Sequence, residues 1–155
     1  MKITKVSAAG INLVKKFEGF SAKPYPDPGT GGVPFTIGFG STYYEDGRKV
    51  TMADPPVTEE RATKLLMHML EHYERGVDSM CRDDITQNQF DALISFSYNV
   101  GINALKSSTL LKKLNINPND PTIRDEFMRW NKAAGRVLKG LTKRRAEEAN
   151  LYFLR

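Results

Sequence analysis

Three residues of the right chemical type stand at equal spacing near the start of the chain: Glu18, Asp27 and Thr36, nine residues apart each time. A protonated carboxylic acid beside an ionised carboxylate is the pair that glycoside hydrolysis requires, one to protonate the leaving oxygen and one to activate water. The sequence sets their surroundings apart. Glu18 follows Phe17 at the end of a helical pattern, an apolar setting that raises a carboxyl pKa. Asp27 lies in a proline-rich loop, Tyr25-Pro26-Asp27-Pro28, a wetter setting that favours the anion. Spacing alone decides little, because the chain has 18 acidic residues and such pairs are common. On spacing alone, a helix-terminal Glu and a turn Asp beside proline is the favoured account.

The elements that must hold these residues can be read from periodicity. Ser7 is placed to cap a helix over about 8–18, with Ile11, Val14 and Phe17 as its apolar stripe. Between residues 20 and 50 four prolines (Pro24, Pro26, Pro28, Pro34) and six glycines make a turn-rich stretch. Within it Phe35-Thr36-Ile37-Gly38-Phe39 alternates like a strand. Glu45-Asp46-Gly47-Arg48 reads as a hairpin turn, with Lys49-Val50-Thr51 returning. Thr58 with Glu59 and Glu60 then opens a long helix to about residue 80. Thr86-Gln87-Asn88-Gln89 is a capping box. The helix behind it (Phe90, Leu93, Ile94, Phe96) is apolar nearly all round and stops at Asn99-Val100-Gly101, so it is the expected central core helix. Ser107 or Ser108 caps a short helix through Leu114. Asp120-Pro121 opens another through Phe127 and Trp130. A final helix over about 141–154 carries Lys143, Arg144 and Arg145 early, against its dipole, which implies that this charge answers to something outside the helix.

These elements predict an α+β fold: a small N-terminal hairpin lobe over about 19–57, a helix over about 58–80 joining it to a larger helical lobe, and that lobe built from about 81–155 plus the N-terminal helix. The whole is a single domain of 155 residues with the active-site cleft expected between the lobes.

Composition narrows the function classes. The chain is 40% hydrophobic and 26% charged, with one cysteine. That is a globular composition, and Cys81 cannot form an internal disulfide; it reads as a small apolar filler. No apolar run approaches the roughly 20 residues of a membrane span, and Lys15 and Lys16 interrupt any signal-like N-terminus. His68 and His72 lie four apart on the long helix without a third ligand nearby, so no metal and no cofactor is expected. The net charge of +5 sits on the last fifth of the chain: residues 124–155 hold nine Lys or Arg and four Asp or Glu. Such a surface suits a polyanion or simply aids solubility. No nucleic-acid fingerprint accompanies it.

Residues in one order along the chain carry a further signal. Phe17-Glu18-Gly19-Phe20, Tyr25-Pro26-Asp27-Pro28 and Phe35-Thr36-Ile37-Gly38-Phe39-Gly40-Ser41-Thr42 are followed by Gln89-Phe90-Asp91-Ala92-Leu93 and Ser97-Tyr98-Asn99-Val100-Gly101. Then come Ser108-Thr109-Leu110-Leu111, Arg129-Trp130-Asn131, and Gly140-Leu141 with Arg144-Arg145. This series resembles the phage-type lysozymes, glycoside hydrolase family 24. The resemblance implies a lysozyme-like fold. It implies an endolysin that cleaves the β-1,4 bond from N-acetylmuramic acid to N-acetylglucosamine in peptidoglycan, with inversion. Glu18 is then the general acid, and Asp27 and Thr36 position the attacking water. Gly38, Thr42, Tyr98, Asn99 and Thr109 fall where substrate contacts are expected. For Gly38 close backbone approach to a sugar and a sharp hairpin twist are equal readings, and Tyr98 fits the core as well as a cleft floor. Trp130 fits core packing better than glycan contact.

The same resemblance implies a monomer with peptidoglycan strands as partner, without nucleic acid or stable membrane association. It would gather in the host cytoplasm and reach the wall in the periplasm after the membrane is permeabilised, by family analogy through a holin. One departure stands out. Eight residues separate Asp27 from Thr36, where many family members have five. Two other readings remain: a lytic transglycosylase, which needs the acid but no water-holding pair, and a non-catalytic basic module acting through residues 124–155.

Overall fold

A computed structural model of the chain describes residues 2–155. The element order is α1 (Ala8–Glu18), β1 (Ser21–Tyr25), β2 (Thr36–Gly38), α2 (Glu59–Met80), α3 (Gln87–Val100), α4 (Ile102–Ser107), α5 (Thr109–Ile116), α6 (Ile123–Met128), β3 (Lys132–Ala133), β4 (Arg136–Val137) and α7 (Lys139–Phe153). The chain divides into two compact units. One comprises Val14–His72, the other the residues up to Leu13 together with Tyr73–Arg155.

The Val14–His72 unit is built on an antiparallel β1–β2 pair. Ser21 stands opposite Gly38 and Tyr25 opposite Thr36, with a bulge between the two pairings. β1 was expected as loop. Its sequence, Ser-Ala-Lys-Pro-Tyr, has weak strand propensity, but in a two-stranded sheet one edge needs no partner, and Pro24 is tolerated there. The turn at residues 45–47 forms as expected. The returning strand does not: it shrinks to a single bridge, Tyr43 to Lys49, with the Val50 amide donating to the Thr42 carbonyl. Ile37, Tyr44, Val50 and Leu65 form the buried centre of this unit, flanked by Phe35 and Val57. The Thr58 hydroxyl caps α2 by accepting the Arg61 amide at 3.1 Å.

The second unit packs α3 against α4 and α7, α4 against α5, α5 against α6, and α6 against α7. Residues Gln89 to Ser97 of α3 are all buried, which identifies it as the central helix. Its capping box is complete, with Thr86 and Gln89 each accepting the other's backbone amide, and Gly101 ends it at φ 98°. Around α3 the aromatic rings meet edge to face: Phe96 with Phe127 at 5.5 Å, Phe96 with Trp130 at 5.7 Å and Phe127 with Tyr152 at 5.6 Å. Trp130 thus packs on the core. Ser7 precedes α1 as expected and accepts the Ile11 amide on its carbonyl. Its hydroxyl, however, is engaged by the buried Asp91 carboxylate of α3 rather than capping its own helix.

Three further elements were not anticipated. α4 fills the turn after Gly101, and β3 with β4 forms a hairpin turning through Ala134 (φ 51°) and Gly135 (φ 76°). α7 starts at Lys139, two residues early, because the hairpin delivers the chain directly into the helix. Among the described residues no helix is long and apolar enough to cross a membrane, and no His, Cys, Asp or Glu cluster has metal-binding geometry. Cys81 is a free thiol that burial pushes up to about 12, which suits a packing residue.

Candidate active site

Glu18 is the last residue of α1. Gly19 follows at φ 73°, and its amide donates to the Lys15 carbonyl at 3.0 Å. That left-handed residue stops the helix and turns the chain into β1. Glu18 is half-buried. Its carboxylate is close enough to Tyr25 to act on the phenol, whose pKa is raised first by burial and then by the Glu18 charge.

Tyr25 is the residue that sequence reasoning passed over. It pairs with Thr36 across the hairpin and feels Glu18, so it links the first and third of the predicted residues. Asp27 comes two positions later in the same chain. The available signal was a lone aromatic in a polar, proline-rich stretch.

Asp27 is also half-buried. Its Oδ2 accepts the amides of Gly29 and Thr30, each at 3.0 Å. The loop closes around the same residue: the Asp27 amide donates to the Gly32 carbonyl at 2.9 Å, and the Gly31 amide donates to the Asp27 carbonyl at 2.8 Å. The extra residues before Thr36 are therefore a turn built on Asp27, not slack chain.

Thr36 opens β2 and is half-buried. Gly38 is buried at φ 66°, and a Cβ there would lie 2.9 Å from the Ala62 side chain of α2. The close approach at Gly38 is therefore to a helix of its own unit, and the backbone conformation independently asks for glycine. Thr42 is half-buried beside the Tyr43–Lys49 bridge. All five of these residues, Glu18, Asp27, Thr36, Gly38 and Thr42, belong to the Val14–His72 unit.

Tyr98, Asn99 and Thr109 belong to the other. Tyr98 meets Tyr73 edge to face at 5.2 Å. Asn99 is exposed, and its Oδ1 accepts the Arg145 guanidinium at 2.7 Å. Thr109 is exposed at the start of α5 and helps line a cavity of about 360 Å³ with Ser108, Glu126, Arg129 and Trp130. In that cavity Glu126 accepts Lys113 at 2.9 Å and pairs with Arg129 at 3.4 Å.

Behind Asn99 lies a charged cluster that the sequence did not announce as internal. Arg144 and Arg145 are buried, Arg145 completely. Glu148 lies between them, with Arg145 Nε at 2.8 Å and Arg144 Nε at 3.3 Å, and it accepts the Ser95 hydroxyl at 2.6 Å. Arg145 also lies over the Phe96 ring at 5.1 Å. Burial pushes the Glu148 carboxyl up, while the two guanidiniums pull it back. The arginines that looked like an outward basic face thus answer to an internal acid. The signal was present as Arg-Arg-x-x-Glu, which puts Glu148 at i+3 and i+4 of the two arginines. The exposed charge lies earlier. Arg129, Lys132, Arg136, Lys139 and Lys143 are all exposed, and residues 129–143 contain no carboxylate.

Comparison with known proteins shows the family. The chain is 46% identical over 147 residues to an endolysin of Bacillus phage B103, covering 95% of this chain and 53% of that relative. It is 41% identical to an endolysin of Bacillus phage PZA, covering 96% and 55%. The chain thus spans about half the length of these two relatives. It is 37% identical to the endolysin of Salmonella phage P22, covering 94% of this chain and 96% of that one. Among solved structures it matches an endolysin of Escherichia coli O157:H7 phage FAHEc1 with TM-score 0.85 and 33% identity, covering 96% and 93%. It also matches a muramidase domain of SpmX from Asticaccaulis excentricus, with TM-score 0.82 and 33% identity over 97% and 99%. The fold is lysozyme-like, mainly helical with a small two-stranded hairpin. The sequence profile of phage lysozyme matches residues 15–148, and the chain belongs to the phage lysozyme family.

Proposed function

We propose that this chain is the catalytic part of an endolysin. It hydrolyses the β-1,4 bond between N-acetylmuramic acid and N-acetylglucosamine in peptidoglycan, with inversion at the anomeric carbon. Glu18 protonates the leaving oxygen. Asp27 takes a proton from the attacking water, which Thr36 helps to hold. Thr42, Tyr98, Asn99 and Thr109 are the proposed glycan contacts, while Gly38 serves by letting β2 lie against Ala62.

The observation that carries this reading is how Asp27 is held. Two backbone amides fix one of its oxygens, which holds the carboxylate in one orientation, as positioning a water requires. Glu18 ends α1 with Phe17 before it. Inversion needs them about 6.5–9.5 Å apart to admit water. The muramidase named among the structural relatives supports the same chemistry.

Endolysins act on the wall from inside. We propose a monomer that gathers in the host cytoplasm and reaches the wall through a membrane lesion, a holin pore by family analogy. Exposed cations at 129–143 would hold the anionic wall.

The test is lysis of permeabilised Gram-negative cells by the wild type, Glu18→Gln and Asp27→Asn, with the new sugar ends identified. Glu18→Gln is expected to lose about 10²–10⁴-fold activity while staying folded, and the wild type is expected to leave reducing ends. Undiminished lysis by Glu18→Gln would remove it from the mechanism. 1,6-Anhydro ends would mark a transglycosylase, and no lysis at all a binding module.

A further inference from the structure

The loop between Asp27 and Thr36 does more than connect them. Asp27 makes four hydrogen bonds to its own following residues: Oδ2 with the amides of Gly29 and Thr30, its carbonyl with the Gly31 amide, and its amide with the Gly32 carbonyl. The turn is locked a second time by Thr30. Its hydroxyl donates to the Val33 carbonyl at 2.9 Å and accepts the Gly32 amide at 3.2 Å. A Cβ at position 29 would stand 3.1 Å from Asp27 Oδ2, so the carboxylate would have to give by a few tenths of an ångström. Among the described residues Oδ1 has no hydrogen-bond partner.

A carboxylate on a free side chain turns about two bonds. This one is held at a single oxygen by two backbone donors that are themselves fixed by a closed turn. We propose that Gly29 and Thr30 are positioning residues for the reaction. Their amides hold Oδ2 of Asp27, so that Oδ1 alone is presented to the attacking water, and the Thr30 hydroxyl keeps those amides in place. This deepens the reading above and rests on Asp27 being the water-activating group. The energetic logic is that of orientation. A catalytic group displaced by about 1 Å can lose on the order of 10²-fold in rate, while glycan binding, made elsewhere, is untouched.

The experiment measures kcat and KM on solubilised murein strands for the wild type, Gly29→Ala, Thr30→Val, Thr30→Ser and Asp27→Asn, with thermal melting of each. Gly29→Ala is expected to lower kcat about tenfold or more, with KM within about twofold and the melting temperature nearly unchanged, because the site is an exposed loop. Thr30→Val should lower kcat in the same way. Thr30→Ser, which retains the hydroxyl, should restore it. Wild-type kcat in both Gly29→Ala and Thr30→Val, with Asp27→Asn inactive, overturns the positioning role and leaves Asp27 in place. A rise in KM at unchanged kcat also overturns it, since the loop would then be serving substrate binding. Full activity in Asp27→Asn is a different failure, that of the catalytic assignment itself.

Discussion

Arg145 and Glu148 meet at 2.8 Å with neither side chain exposed. A guanidinium and a carboxylate so placed have both surrendered water, and each is tolerable only because of the other. Arg144 and the Ser95 hydroxyl complete the ring around Glu148.

Removing one partner is therefore expected to cost more than the pair contributes. Glu148→Gln leaves two buried cations without their acid and should destabilise by about 3 kcal/mol. For a chain of this length that is a drop in Tm of about 6–12 °C. The double variant Arg145→Met with Glu148→Leu should recover part of the loss, because it removes one of the two buried cations. Calorimetry on the three proteins checks both statements, and a Glu148→Gln protein as stable as the wild type would contradict them.

Acid stability has a different source. Asp54 is lowered from 3.8 to about 2, mainly by the Thr51 hydroxyl and amide and then by the Tyr44 hydroxyl. Because the folded value lies below the unfolded one, the unfolded chain takes up the proton first. The resulting stability is complete above about pH 4 and disappears as pH falls towards 2. Asp54→Asn should thus melt below the wild type at pH 6, with the gap narrowing by pH 3. Melting curves at the two pH values decide it, and a constant gap would assign the effect to something other than ionisation.

The surface charge makes a third prediction. Exposed cations Arg136 and Lys139, in a stretch without carboxylates, should draw the protein to anionic wall. Reversing both, Arg136→Glu with Lys139→Glu, should slow lysis by about tenfold at low ionic strength. The deficit should shrink as salt screens the field. Lysis rates across a salt series test this; equal rates for both proteins at low salt would exclude it.

Much of this structure was legible in the sequence where local rules and global packing agree. α1 was placed at its observed bounds, and the Thr86 capping box and Gly101 stop fixed α3, because caps and periodicity depend only on neighbours. β1 was missed because its residues have little strand preference and its pairing with Thr36 and Gly38 is a longer-range event. The β3–β4 hairpin was missed for a similar reason: Ala134 adopts a left-handed conformation that its residue type does not advertise. The site divides in the same way. The residue types and order around Glu18, Asp27 and Thr36 were readable. The neighbour that links Glu18 to Thr36, Tyr25, needed the register of a strand that was not foreseen. The sequence predicts that Arg144 and Arg145 answer to something outside the final helix; Ser95 and Asn99 do lie outside it, but the acid they share, Glu148, belongs to α7 itself.

The turn at Asp27 bears on how such a chain can change over time. Its hydrogen bonds close within Gly29–Gly32, and the strand register fixes Thr36 opposite Tyr25 by other means. Residues gained or lost in this stretch would alter neither anchor, provided the first turn survives. The freedom to vary lies after that turn, just ahead of Thr36, whose place the pairing with Tyr25 sets.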